Sequence, residues 1–318
     1  MRPALPATIV LAAAALAVSA CGAPGSSSSR TSTPSQTTSA ASRAAVSLPT
    51  EPGKVTVGSA DFPESELLAH LYGDAMKARG VAVQIHTGVG ERPAYMSALK
   101  DGSIGAVPEY TGAILSYLTP GKKATSPQDV YAQLQLSAQA QHLSVANYAP
   151  AQDVDTITVT KATAEKYHLS TIGDLAHVTS QLRLGAPQPL LTVPYGVPGL
   201  KKVYGVSFRQ FVPLAPTGTI TQTALRNGTV DAADIFSTDP AIPRYGFVSL
   251  KDPQNLFAAQ NVVPLFKQDV FTKPMADACN AVSAKLTTAA LGKLDAQVVK
   301  GADPDVVAHK WLSANGLA

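Results

Sequence analysis

Ala98-Leu99-Lys100-Asp101-Gly102-Ser103-Ile104 and, 126 residues later, Ala224-Leu225-Arg226-Asn227-Gly228-Thr229-Val230 match type for type. Each reads as the end of a helix, a glycine stop and the opening of a strand. Carried on in the same register, the strands lead to Pro108-Glu109-Tyr110-Thr111-Gly112 and to Phe236-Ser237-Thr238-Asp239, so an aromatic ring followed by a hydroxyl closes both. A shared helix-to-strand idiom with the same downstream pair points to two similarly wound halves.

The segments around the echo have the same rhythm. Val55 and Val57 alternate as in a strand; Leu67, Leu68, Leu71, Tyr72, Ala75 and Met76 then recur at helical spacing until Gly80. Val81, Val83 and Ile85 make the next strand, Pro93 opens a short helix that stops at Gly102, and Ile104 to Val107 forms a third strand. Such alternation argues for parallel βαβ units. Further strands are expected at 156–160, 182–186 and 208–212, a helix at 162–167 and a turn at Gly196-Val197-Pro198-Gly199. Helices from Pro274 to Leu294, and around Val306, Val307, Trp311 and Leu312, are expected to pack back on the first half. Open α/β sheets take ligands outside the carboxyl ends of their strands. Two such ends facing each other make a cleft that closes by hinge motion.

Of 318 residues 45% are hydrophobic and 15% charged, which gives a globular chain enough apolar material for two cores. The net charge of +3 falls further once Arg2, Arg30, Arg43 and Glu51 are set aside, so the core from residue 54 carries no electrostatic footprint for nucleic acid. Residues 1–20 hold one charge, Arg2, before an apolar run that ends at Val18-Ser19-Ala20-Cys21. This is the pattern of a secretory signal peptide. Small residues before a cysteine resemble the lipobox of bacterial lipoproteins, which implies acylation of Cys21 and anchoring to the cell membrane. Residues 21–53 are nearly all Ser, Thr, Ala, Pro and Gly, a flexible tether with a reach of about 30 Å. With Cys21 lipidated, Cys279 has no disulfide partner and is expected as a buried thiol in a helix.

Sequence patterns for covalent chemistry are absent. There is no Gly-x-Ser-x-Gly elbow, no His-Glu-x-x-His and no Gly-x-x-x-x-Gly-Lys loop, and Gly88-Val89-Gly90 lacks the third glycine of a dinucleotide fingerprint. The six histidines are scattered, and none is read as standing with an acid or cysteine at metal-ligand spacing. Glu109, Asp234 and Asp239 remain as a distant alternative, paired acids of the kind a secreted glycoside hydrolase needs.

Val55-Thr56-Val57-Gly58-Ser59-Ala60-Asp61-Phe62-Pro63-Glu64-Ser65, the segment Ala98 to Gly102, and Pro108 to Gly112 together resemble the substrate-binding proteins of osmoprotectant ABC importers, the glycine betaine, choline, carnitine and proline betaine group. Thr163 to Tyr167, Ile172 to Leu175, Gly196 to Leu200, Phe236 to Asp239 and Asp303-Pro304 extend the likeness over residues 54–318. The resemblance implies the type II periplasmic-binding fold. Its two α/β lobes are expected at 54–152 with 257–318, and at 153–256, with the ligand cleft between them. It also implies a monomeric lipid-anchored receptor without cofactor or metal, which hands a small solute to membrane permease subunits driven by a cytoplasmic ATPase.

In that family a quaternary ammonium sits in a box of aromatic rings, because a cation that donates no hydrogen bonds is drawn to ring faces. Tyr110 and Phe236 match positions of that box, and Asp155 and Gln260 fall where further tyrosines are expected. Thr111, Ser237 and Asp61 are weaker candidates for ligand contact; the two hydroxyls also suit helix caps. At the carboxylate end Ala60 replaces a lysine, Val193 an arginine and Ala113 a threonine. Losing the basic side chains leaves a ligand carboxylate without a counter-charge in a partly desolvated cleft, at a cost of several kcal/mol. The main expectation is a choline-like quaternary amine. The alternative is a re-tuned pocket for an uncharged polyol or phenol that does not bind glycine betaine, and Arg92, Lys161 or another base would restore the charge if it reaches the cleft from a different position.

Overall fold

The computed structural model describes residues 48–121, 124–214 and 218–318. The segments expected as signal sequence, lipidated Cys21 and most of the tether lie outside the described residues. The chain opens with β1 (Lys54–Gly58), α1 (Pro63–Lys77), β2 (Ala82–His86), α2 (Arg92–Asp101) and β3 (Ala106–Tyr110). These are followed by α3 (Thr111–Leu118), α4 (Pro127–Gln139) and β4 (Leu143–Val145). Proline stands in the first turn of α1, α2 and α4, where a missing N–H costs nothing.

The second half begins with β5 (Asp155–Val159) and α5 (Lys161–Tyr167), then β6 (Arg183–Ala186), α6 (Val197–Tyr204), β7 (Gln210–Pro213) and α7 (Gly218–Arg226). It ends with β8 (Ala232–Phe236), α8 (Ala241–Tyr245) and β9 (Val248–Ser249). The chain then returns through β10 (Val262–Lys267) to α9 (Lys273–Lys285), α10 (Thr288–Val298) and α11 (Pro304–Ala314).

The strands form two five-stranded sheets, in the orders β2-β1-β3-β10-β4 and β7-β6-β8-β5-β9. Position by position the two orders agree. In each sheet the first three strands are parallel, while the strand that has just arrived from the other half, β10 or β5, runs antiparallel to both neighbours. The βαβ units expected from the alternation are parallel, and the antiparallel fourth strand has a topological reason. A chain entering at the carboxyl end of β3 or β8 has only one direction in which to pair, so Val262 lies opposite Tyr110 and Asp155 opposite Phe236.

The echo is visible in the backbone. Ile104 N–H donates to the Ala98 carbonyl at 3.1 Å and Val230 N–H to the Ala224 carbonyl at 3.2 Å. Between them Gly102 (φ +85°) and Gly228 (φ +71°) adopt the left-handed conformation that favours glycine. Gly196-Val197-Pro198-Gly199, expected as a turn, opens α6 instead, with Pro198 in its first turn.

The buried face of α1, with Leu67, Leu68, Leu71, Tyr72 and Met76, meets Met275, Cys279 and Val282 of α9, Leu291 and Leu294 of α10, and Val307 and Leu312 of α11 in one apolar cluster. Cys279 is fully buried there, and burial pushes its thiol well above the usual range.

Candidate functional site

The chain crosses between the sheets at residues 151–154 and 258–261, and both crossings are gripped in the same way. Thr111 donates its N–H to the Asn261 carbonyl (2.9 Å) and its hydroxyl to the Ala259 carbonyl (3.1 Å), and its oxygen accepts from Asn261 N–H (3.1 Å). Ser237 does the same one half later: N–H to the Val154 carbonyl (2.9 Å), hydroxyl to the Gln152 carbonyl (2.8 Å), oxygen accepting from Val154 N–H (3.1 Å). A hydroxyl has one proton to give, and here it goes to the backbone. Neither residue is a cap; Thr111 is itself the first residue of α3.

Gln260 closes the same junction. Its Oε1 accepts from Ala113 N–H at 2.9 Å, which satisfies a free donor in the first turn of α3. A Cβ at Gly112 would stand 2.6 Å from the Ala259 carbonyl, so the crossing chain packs where a larger residue has no room. The crossings also touch each other, through a Gln152–Asn261 bridge and an Asp153 N–H to Gln260 carbonyl bond of 3.2 Å.

Glu109, 1% exposed, accepts from Arg92 Nε (2.8 Å) and Nη2 (3.1 Å), from the Tyr95 hydroxyl (2.7 Å) and from Tyr110 N–H (3.0 Å). Its carboxylate is thus a buried structural anion, and Arg92 is its counter-ion. Neither is placed to serve a ligand. Lys161 is exposed and stands 3.7 Å from Glu165 on its own helix.

Between the halves lies a cleft of about 1140 Å³. Phe62 and Glu64 line it from the start of α1, Asp295 from α10, and Asp153 from the crossing; Phe236, Thr238, Asp239 and Arg244 line it from the second half. Tyr110, half-buried, donates its hydroxyl to Glu64 Oε1 at 2.5 Å, and Thr238 donates to Asp153 Oδ1 at 2.7 Å. Burial, with Asp153 and Asp295 nearby, pushes the Glu64 carboxyl up to about 8 although the tyrosine hydroxyl opposes the shift. Burial, with Asp153 and Asp239 nearby, raises Asp295 to about 6. Glu64 is thus held largely protonated at neutral pH, and it shares the cleft wall with Asp153, Asp239 and Asp295.

The structure brings Tyr110, Phe236 and Gln260 to the junction and cleft, places Asp155 directly opposite Phe236, and leaves Asp61 exposed one residue outside the cleft lining. Glu64, Asp153 and Asp295 were not among the sequence candidates. Glu64 lies in the quoted first motif, where an acid in the first turn of a helix reads as a dipole partner. Asp153 lies two residues from Asp155, one strand repeat away, and Asp295 carries no local signal. Arg244, Lys293 and Lys300 line the cleft, so bases other than Arg92 and Lys161 stand there. Away from the cleft, His70 and Asp74 stand four apart on α1 and meet Asp305 of α11, with His70 Nδ1 3.2 Å from Asp305 Oδ1. This corrects the reading that no histidine stands with an acid at ligand spacing.

A family profile described as the substrate-binding domain of an ABC-type glycine betaine transport system matches residues 53–314. The chain belongs to this family. It is 28% identical over 288 residues, 86% of this chain and 94% of the relative, to the glycine betaine-binding protein YehZ of Escherichia coli K12. It is 24% identical to the carnitine transport binding protein OpuCC of Listeria monocytogenes, over 82% of this chain and 86% of that one. Among solved structures, a glycine betaine/carnitine/choline ABC transporter protein superposes with a TM-score of 0.77 at 23% identity. Apo YehZ from E. coli superposes with 0.74 at 26%; each alignment covers 83% of this chain and 99% of the other. The fold is thus the periplasmic-binding fold of this family, and the chain is a substrate-binding component of an osmoprotectant-type ABC transport system.

Proposed function

We propose that the protein is an extracytoplasmic receptor that captures a small quaternary amine between its halves and hands it to membrane permease subunits driven by a cytoplasmic ATPase. The observation that carries the ligand class is the cleft wall. Phe236 offers a ring face for a cation, and Glu64, Asp153 and Asp295 surround it with carboxyl groups. A ring face with carboxyl groups in the same wall suits a cation better than an uncharged polyol or phenol, and the family match points the same way. Arg244 gives a ligand carboxylate a partner, so betaines and carnitine stay within range together with choline.

The lobes in this reading are 54–152 with 257–318, and 153–256, hinged at the two crossings. The receptor acts as a monomer, without cofactor or covalent chemistry. It is tethered to the membrane by acylated Cys21 through residues 22–53; no helix among the described residues is long and apolar enough to cross a membrane. A thermal-shift panel tests the ligand class, because a ligand that binds only the folded state raises its stability. Choline, glycine betaine or carnitine should raise the melting temperature while sorbitol and catechol do not. A shift from the neutral compounds alone would overturn the reading.

A further inference from the structure

Asp234 is 1% exposed, and no donor reaches either of its carboxyl oxygens. It lies on β8 two residues before Phe236, on the face that carries Asp155 across the β5–β8 pairing. Two carboxyl groups side by side at this depth cannot both stay ionised without a cation between them. They must share a proton or hold a positive group.

Tyr195, 46% exposed in the loop before α6, faces the pair closely enough for its phenol to be raised by both carboxylates after its own partial burial. Asp153, at the crossing, senses Asp155 as well. The shifts of Asp155 and Asp234 come chiefly from their burial and from each other. Asp252 borders the same region, but it is held by the Tyr204 hydroxyl and by Phe257 N–H. Asp155 also lines a hollow of about 200 Å³ together with Pro127, Ile172, Leu250, Phe257 and Ala259, whereas Phe236, its partner across the strand pairing, lines the larger cleft. The hollow is large enough for a methylated ammonium group.

We infer that the Asp155–Asp234 carboxyl pair, beside the Phe236 ring, is the subsite for the ligand's cationic head, and that the head enters by displacing the proton the pair shares. The inference rests on the quaternary-amine reading of the cleft and adds to it a location and a proton. Before binding the pair carries one proton and one negative charge. Afterwards it carries two negative charges facing one fixed cation, and the proton leaves to solvent. Burial raises both carboxyl groups; the neighbouring Asp155 raises Asp234 further, to about 8, while the bond to Asp234 opposes the rise of Asp155.

Choline chloride is the probe, titrated calorimetrically into the purified protein at one pH in two buffers of unlike ionisation enthalpy. The expected result is release of about one proton per choline, and an affinity that rises about tenfold per pH unit while the pair remains protonated. In Asp234→Asn the release should vanish while binding at alkaline pH weakens. In Glu64→Gln the release should persist. Unfolding curves for Asp234→Asn and for Asp155→Asn, run in parallel, identify a variant that fails to fold, and the other then serves. Choline binding without proton release, or release that persists without Asp234 and disappears without Glu64, overturns the inference and leaves the importer reading intact. Absence of binding by choline and glycine betaine alike overturns both.

Discussion

Thr111 and Ser237 make the same three hydrogen bonds, one at each end of the hinge: each binds the incoming crossing strand through its N–H, its hydroxyl proton and its hydroxyl oxygen. The echo that placed them in register therefore marks equivalent bolts rather than equivalent ligand contacts. Thr111→Val keeps the volume but leaves the Ala259 carbonyl and Asn261 N–H unmet in a buried site, at a cost of about 1–3 kcal/mol. Chemical denaturation of the variant should show that loss, and ligand affinity should change much less.

Arg92 and Glu109 form a second structural pair. Removing one partner of a buried ion pair typically costs about 3–5 kcal/mol, and the Tyr95 and Tyr110 bonds to Glu109 moderate this. Arg92→Met should therefore lower unfolding stability by about 2–4 kcal/mol without altering which betaine is preferred. A selective loss of carboxylate-bearing ligands would show instead that Arg92 reaches the cleft.

The Glu64 carboxyl makes stability depend on pH. Its pKa rises from an ordinary 4.5 to about 8, so the folded chain holds this proton more tightly than the unfolded one. The stability it contributes is full below about 4.5 and is lost as the pH rises through about 8. Melting temperatures taken from pH 5 to 9 should fall across that window, and Glu64→Gln should flatten the fall. An unchanged slope in the variant would place the proton elsewhere.

Gly292 of α10 approaches the second half closely: a Cβ there would stand 2.8 Å from the Thr238 carbonyl. Gly292→Val should wedge the helix away from the cleft wall. Ligand affinity is expected to fall while the midpoint of unfolding stays near wild type. Equal loss of both would mean that the contact supports the fold rather than closure.

How much of this could be read from sequence follows from how local each signal is. The helix stops at Gly102 and Gly228, the proline-led helices and the paired aromatic residues are written in consecutive residues, and they carried the two-sheet fold. The direction of β5 and β10 is not local; it follows from where the chain crosses. Glu109 looked like a site acid because its partner Arg92 lies on another element, and Thr111 looked like a ligand contact because its partners lie about 150 residues away. Asp295 joins the cleft only once α10 has packed against α1. The Asp155–Asp234 pair shows the converse: Asp155 was found as a misfit in an aromatic pattern, and only the strand pairing placed it opposite Phe236 and diagonal to Asp234.

The central claim, a cation held at Phe236 between the two halves, is tested most directly by calorimetry of the purified protein and of Phe236→Ala with choline, glycine betaine and carnitine. The expected result is one-site binding of at least one of these by the wild type, weakened about 3- to 30-fold in the variant, the range that a lost cation–π contact of about 0.5–2 kcal/mol implies. Wild-type affinity retained in Phe236→Ala, or no binding of any quaternary amine, would contradict it.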